Sequence, residues 1–436
     1  MALDDKKVSN FLDSVSHAAE TILETVREEG FIHVFSHLDA DGVAAAGIVG
    51  KALFRLDARF RIRITQWIDE KIVGEILSDK PQLVIFTDFG SGYIDLLSEK
   101  TAGFKTVILD HHPIIGEESA NFVHVNPHLH GIDGARDLSG AGVAYFVAKA
   151  VDKINADLAP MAVVGALGDL QDKYDQRMLG GVNGKIVEDA TTAGLLTVEK
   201  DLIFFGRETR PIHKTLASTT NPFIPGISGE EDKSLAFLAS LDIKPRHGDR
   251  WRALRDLSEE EKRRLCSALA DYLLSKGLRY EVINLIGHVY TLNREEPWTP
   301  LRDAREFAVL LNAAGRMDKP SLGVSICMGD RSSALEAANK VLEEYRRTIN
   351  KYLGWIVEKP ERMMELESIY VVYGEDFIDD KIIGAISSIL STSLPNPEKP
   401  LIAYANVEEG GLAKISARTI DAVTNKGVNL GEVMQV

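Results

Sequence analysis

Short, largely apolar runs, each closed by an acidic residue, a histidine or an Asn-Pro turn, constrain this chain more than any other feature. Phe31–Phe35 leads into Ser36-His37-Leu38-Asp39-Ala40-Asp41-Gly42, and Leu83–Thr87 ends at Asp88. Thr106–Leu109 ends at Asp110-His111-His112, and Phe122–Val125 ends at Asn126-Pro127. Runs this short and this apolar predict strands buried on both faces. Small-residue segments between them, Val43–Leu53 and Gly142–Val151, predict tightly packed helices. Alternating strands and helices predict an α/β fold around a parallel sheet, whose strand C-termini form the ligand crevice. Asp169, closing the apolar segment Met161–Gly168, is taken with the others, giving five clusters expected at strand ends of one sheet.

The second half follows a different grammar. The chain has 436 residues, enough for two or three domains. Residues 1–215 are expected to form the parallel-sheet domain. Residues 216–305 read as a mainly helical insertion, opened by turn signals at Asn221-Pro222 and Pro225-Gly226. Within it Ser258 and Glu261 form a capping box, predicting a helix that stops near Gly277. Residues 306–355 carry a long connector helix, about Ser333–Tyr352. Residues 356–436 form a smaller α/β unit: strand Ile369–Tyr373, helix Asp380–Leu390, strand Leu401–Val407, a turn at Glu409-Gly410-Gly411 and strand Leu412–Arg418.

Composition removes several classes of protein. No apolar run is long enough for a transmembrane helix, and the first thirty residues lack a signal-peptide pattern, so a cytoplasmic chain is expected. Two cysteines far apart, Cys266 and Cys327, suit neither a disulfide framework nor a cysteine zinc site. The net charge of −15 disfavours a nucleic-acid binder at first sight, but cations bound at carboxylates would offset it locally. Two basic clusters stand against that background: Arg207, Arg210, Lys214; and Lys244, Arg246, Arg250, Arg252, Arg255.

His37, Asp39 and Asp41 alternate, so in an extended segment their side chains would converge on one point. Imidazole with carboxylates suits Mn²⁺, Zn²⁺ or Mg²⁺. Asp88 closes a buried strand, where a lone charge is costly unless paired or metal-bound. With Asp110, His111, His112 and Asp169 the donors suffice for two cations.

These motifs, in this order, resemble those of the DHH phosphoesterases, which take their name from the triplet that stands here as Asp110-His111-His112. Ser139-Gly140-Ala141-Gly142 resembles a substrate-phosphate loop of the RecJ-like branch, and Leu311-Asn-Ala-Ala-Gly-Arg316 its "NAAGR" segment. Ile383-Gly384-Ala385 and Lys414-Ile415-Ser416-Ala417-Arg418 are similar to the DHHA1 domain. The resemblance implies a two-metal exonuclease acting on single-stranded DNA or RNA, 5′→3′ by family precedent, with Mn²⁺ or Mg²⁺. It implies that His37, Asp39 and Asp88 hold one cation, and Asp41, Asp88, His111 and Asp169 the other. It makes His112 the contact to the scissile phosphate and Asp110 the group that orients His111. Ser139, Gly140, Arg316, Ser416 and Arg418 would grip substrate phosphates.

Similarity to archaeal RecJ-like nucleases implies a role in replication or repair beside the GINS complex. The insertion, with Arg246, Arg250, Arg252 and Arg255, is the expected dock. Two other functions occur on this framework: a phosphodiesterase for short oligonucleotides or cyclic dinucleotides, and a replisome scaffold. DHHA1 domains end in a glycine-rich segment that this chain lacks, so a truncated sequence is expected.

Overall fold

The computed structural model describes residues 5–433, apart from 118–120, 220–221, 392–393, 395, 397, 408–410, 420, 425 and 429. Asn221 and most of the expected 409–411 turn therefore lie outside the described residues. The first elements are α1 (Asp5–Arg27), β1 (Phe31–His37), α2 (Ala40–Arg55), β2 (Arg59–Thr65), α3 (Glu70–Asp79), β3 (Leu83–Thr87), α4 (Ile94–Lys100), β4 (Lys105–Leu109) and β5 (Phe122–Val125). Next come α5 (Gly140–Val151), α6 (Ala159–Gly168), α7 (Gly181–Thr192), β6 (Leu196–Leu202), α8 (Ile212–Ala217), α9 (Glu231–Ser240), β7 (Arg246–His247) and β8 (Arg250–Trp251). There follow α10 (Glu259–Ser275), α11 (Arg279–Val282), β9 (Ile286–Leu292), α12 (Ala304–Arg316), α13 (Pro320–Met328) and α14 (Ser333–Glu358). The last are β10 (Met363–Glu365), β11 (Tyr370–Tyr373), α15 (Asp380–Ser391), β12 (Leu401–Asn406) and β13 (Ala413–Arg418).

Two units divide the chain. The first comprises Met1–Arg210, Ala253–Asp256 and Ile286–Leu342; the second comprises Pro211–Arg252, Leu257–Leu285 and Glu343–Val436. In the first, five strands lie in the order β2-β1-β3-β4-β5, all parallel. The order reverses between β1 and β3, so a crevice opens beyond their C-termini. One face of the sheet is filled by Phe35, Val84, Phe86 and Ile108 against Ile72, Ile76 and Leu97 of the neighbouring helices. On the other face, α2 packs against α5 and α6, which its alanines and glycines allow. β2, whose Arg59, Arg61 and Arg63 alternate with apolar residues, is an edge strand that the apolar-run criterion passes over.

The insertion differs from its expected span. β9 pairs with β6 over seven residues, which binds 286–292 into the first unit rather than into a segment ending at 305. In the second unit the capping box at Ser258 and Glu261 starts α10, which buries Leu265, Leu269 and Leu273. Tyr272 meets Phe237 of α9 edge-on. The four-stranded sheet β10-β11-β12-β13 carries α15 against β12 and β13.

Candidate metal centre

β1 ends at His37, and the chain then turns sharply, because Asp39 is the N-cap of α2 and accepts from the Gly42 amide at 3.1 Å. This corrects the expected convergence of His37, Asp39 and Asp41. A capped helix start separates residues that an extended strand would have aligned. His37 and Asp39 stay together, Nδ1 to Oδ2 at 3.0 Å, while Asp41 enters the first turn of α2 and faces His111. Among the described residues two donor groups result, His37/Asp39/Asp88 and Asp41/His111/Asp169, and a third, Asp88/Asp110/His111/His112, overlaps the first at Asp88 and the second at His111; the donor atoms of each group lie within 4.8 Å of one another.

Asp88 stands between them. It follows β3 with φ +61°, a left-handed conformation that Asp tolerates better than most residues. Its Oδ2 is 3.7 Å from His37 Nδ1 and its Oδ1 is 3.2 Å from His111 Nε2, yet neither oxygen makes a hydrogen bond and the residue is 1% exposed. Burial first, then the carboxylates of Asp41 and Asp39, push its carboxyl well above the usual range. Burial also raises Asp41, with His111 opposing. Asp39 goes the other way: burial would raise it, but His37, the Gly42 amide and Arg316 together hold it below the ordinary carboxylate range. An unbonded, buried carboxylate between two imidazole–carboxylate groups is a donor set that fits divalent cations.

The triplet divides its work differently from the expectation. Asp110 Oδ1 accepts from His112 Nδ1 at 2.8 Å, and its Oδ2 from the Ser91 amide at 2.9 Å. Asp110 therefore orients His112, not the ring of His111. That ring is set by the Gly134 carbonyl, 2.7 Å from Nδ1, which leaves Nε2 facing Asp41, Asp88 and Asp169. Such a carbonyl is the usual partner of a metal-binding imidazole. Burial lowers both rings, but carboxylates outweigh it and raise each to about 9: for His112 the Asp110 bond comes first, for His111 the charges of Asp169 and Asp41. His112 is half-exposed, and the Asp110 carboxylate at its Nδ1 favours the protonated ring.

Asp169 is not at a strand end. Met161–Gly168 lies within the buried helix α6, and Asp169 caps its C-terminus. Length and apolarity do not distinguish a short buried helix from a strand, which accounts for the difference. Gln171 fixes the carboxylate, its Nε2 donating to Asp169 Oδ2 at 2.9 Å and to the Gly134 carbonyl at 2.8 Å. Asn183 in turn donates to Gln171 Oε1 at 2.7 Å. Sequence reasoning passed over Gln171, Asn183 and Gly134; a glutamine two residues past a suspected ligand was the only signal.

The expected phosphate loop is occupied by the protein itself. Ser139 caps α5 through Gly142, and the Gly140 and Ala141 amides donate to Asp41 at 2.7 and 3.1 Å. A Cβ on Gly140 would lie 2.5 Å from Asp88 Oδ1, so only glycine lets α5 approach the carboxylates this closely. The "NAAGR" segment sits at the same place. Asn312 accepts from the Ala40 amide at 3.1 Å, and a Cβ on Gly315 would run into the Leu38 carbonyl. These contacts press the end of α12, with Arg316, onto the loop that carries His37, Asp39 and Asp41. Ser416 and Arg418 belong to β13 of the second unit, where Ser416 bonds Ser387 at 2.8 Å. The basic clusters are largely spent internally: Arg207 pairs with Asp201, Arg255 with Glu208, and Arg252 forks onto Glu261 at 2.8 and 2.6 Å.

Residues 31–166 match the DHH family, N-terminal domain, and residues 204–286 match the DHH-CID domain. An uncharacterized protein, MJ0831, of Methanocaldococcus jannaschii is 30% identical over 430 residues, spanning 96% of this chain and 89% of that protein. The single-stranded-DNA-specific exonuclease RecJ of Bacillus subtilis is 24% identical over 38% of this chain, but over only 22% of its own length. Among solved structures, CDC45 of Entamoeba histolytica superposes with a TM-score of 0.64 at 12% identity, covering 96% of this chain and 91% of CDC45. RecJ of Thermus thermophilus in complex with Mn²⁺ gives 0.53 at 16% identity, covering 90% of this chain and 46% of RecJ. The chain belongs to the DHH family, and its fold is like that of RecJ and CDC45.

Proposed function

We propose that this chain is a two-metal, single-strand-specific exonuclease that hydrolyses phosphodiester bonds of DNA, with RNA as a second substrate, in replication or repair. Asp88 carries the proposal, since both its oxygens are buried and unbonded and each faces a different imidazole. His37, Asp39 and Asp88 would hold one cation, and Asp41, Asp88, His111 and Asp169 the other. Mn²⁺ is favoured over Mg²⁺ because each group includes an imidazole. When bound, such a pair supplies positive charge at the phosphoryl group and lowers the pKa of water.

The chain's own residues do the rest. Gly134 and Gln171 keep His111 and Asp169 in place. Asp110 holds the His112 ring so that Nε2–H can donate to a phosphate oxygen and then protonate the leaving oxygen. Arg316, carried beside the first loop by α12, neutralises substrate phosphate, and Ser416 and Arg418 are proposed for the same task. Ser139 and Gly140 act through the site's architecture, capping α5 and holding Asp41.

The test uses end-labelled single strands of DNA and RNA, and a duplex, with Mn²⁺ or Mg²⁺, resolved by product length. Stepwise shortening of the single strands from the 5′ end is expected. Cleavage confined to di- to tetranucleotides or cyclic dinucleotides would replace this proposal with the short-substrate phosphodiesterase. The CDC45 likeness, which concerns the fold alone, favours a second reading as a replisome scaffold beside GINS. Failure to cleave any of these substrates, with co-purification of GINS, would favour that reading.

A further inference from the structure

The turn that delivers Asp169 to the metal centre is a Schellman motif. The Leu170 amide donates to Leu167 O at 3.2 Å and the Gln171 amide to Ala166 O at 3.0 Å, the two bonds that define it. Such a motif needs a left-handed residue just past the helix, and glycine is the usual one because it has no Cβ to clash. Here Leu170 takes that position at φ +55°. Among the described residues it is the only aliphatic side chain with positive φ; the others are acidic, basic, amide or tryptophan, besides the glycines. Several turns that follow other helices place Gly194, Gly277 or Gly329 in that conformation.

The side chain does not recover this cost by packing, since Leu170 is 57% exposed. Its neighbours are fixed on both sides. Asp169 faces His111, and Gln171 is fully buried and bonded to Asp169, Gly134 and Asn183. Leu170 is thus an exposed apolar side chain on a rigid turn, one residue from a proposed cation ligand. Asp169 is itself 31% exposed where Asp41 and Asp88 are 1%, which puts this turn on the solvent side of the centre. A glycine would hold Asp169 equally well with less strain, so the turn alone does not account for a leucine.

We infer that Leu170 is a contact for a nucleobase next to the scissile phosphate, an apolar platform against which the terminal base of a single strand lies. Leucine serves elsewhere as a wedge against base faces, an interaction that needs no hydrogen-bond readout and tolerates any sequence. The inference rests on the function proposed above and names how that site would meet a base.

The experiment compares the full chain with Leu170→Gly and Leu170→Met. Binding of a fluorescein-labelled single strand is measured with Ca²⁺, hydrolysis of the same strand with Mn²⁺, and thermal melting without nucleic acid. Leu170→Gly is expected to melt about 1–3 °C higher, as relief of left-handed strain should give. It should bind the strand at least about fivefold more weakly and show a similarly raised KM, with Leu170→Met restoring most of both. Unchanged affinity and KM in a Leu170→Gly protein that melts at or above the wild type would overturn the inference. Wild-type chain that binds the strand but does not cleave it would instead sink the proposed hydrolysis, while the affinity ratio would still decide the role of Leu170.

Discussion

Glu306 and Asp88 are carboxylates in the same unit, each 1% exposed, but their surroundings differ. Around Glu306 each acidic group meets a cation, an amide or a hydroxyl. Glu306 accepts from the Glu208 amide at 2.8 Å and from the Thr209 hydroxyl, Glu208 pairs with Arg255, and Asp201 pairs with Arg207. Asp303 caps α12 through the Arg305 and Glu306 amides. Around Asp88 the partners are imidazoles and other carboxylates, and the central oxygens make no hydrogen bond. Buried charge that is fully paired serves the fold, whereas buried charge left without donors calls for a ligand. Acidity and burial alone do not separate the two places; hydrogen-bond satisfaction does.

The largest loss of activity is expected at Asp88. Asp88→Ala is expected to lower turnover at least about 10⁴-fold, roughly 5 kcal/mol of barrier, while the protein still folds. Near-normal turnover in Mn²⁺, in a variant with native circular dichroism, would end the bridging role. At the other cluster, Arg207→Ala should cost about 3–5 kcal/mol of stability by stranding Asp201, read as a lower urea midpoint. Metal stoichiometry should be unchanged in whatever remains folded, and a change there would mean that the clusters are not separate.

Within the metal centre, His112→Ala is expected to lower turnover about 10²-fold with metal content kept, because its Nδ1 is taken by Asp110 and its ring is half-exposed, whereas His111 Nε2 is buried among Asp41, Asp88 and Asp169. His111→Ala should lose metal. Equal metal loss in both, by elemental analysis of the purified proteins, would erase the division of roles.

The smallest effect concerns pH. Burial, then Asp303, raises the Glu306 carboxyl to about 7, against the partial opposition of Thr209 and the Glu208 amide. A carboxyl raised in the folded state favours folding below its unfolded pKa, and that contribution is lost as pH rises through about 7. Glu306→Gln removes the loss, since Thr209 can turn its hydroxyl to accept. The variant should be more stable than the wild type by about 2 kcal/mol at pH 8 and converge with it near pH 5. An identical pH profile for the two proteins in urea melts would show that Glu306 stays ionised.

Much of this was legible in the sequence. Strand C-termini had to carry His37, Asp88 and Asp110 because continuous apolar runs specify buried parallel strands, and the alternation of elements specifies the crevice at their ends. The residue types there, imidazole and carboxylate, are ones that suit divalent cations. The sequence also marked α10 through its capping box, a local hydrogen-bond pattern four residues long. Tertiary structure alone decided how the donors are shared. Asp41 leaves His37 because a helix starts between them, and Asp169 arrives from a buried helix that its composition does not distinguish from a strand. Asp110 serves His112, and Gly134, Gln171 and Asn183 fix the site from 23 to 72 residues beyond His111. Local pattern sets which residues can bind and where strands end, because those depend on neighbours in the chain. Which oxygen meets which nitrogen depends on packing between distant segments, and no periodicity encodes that.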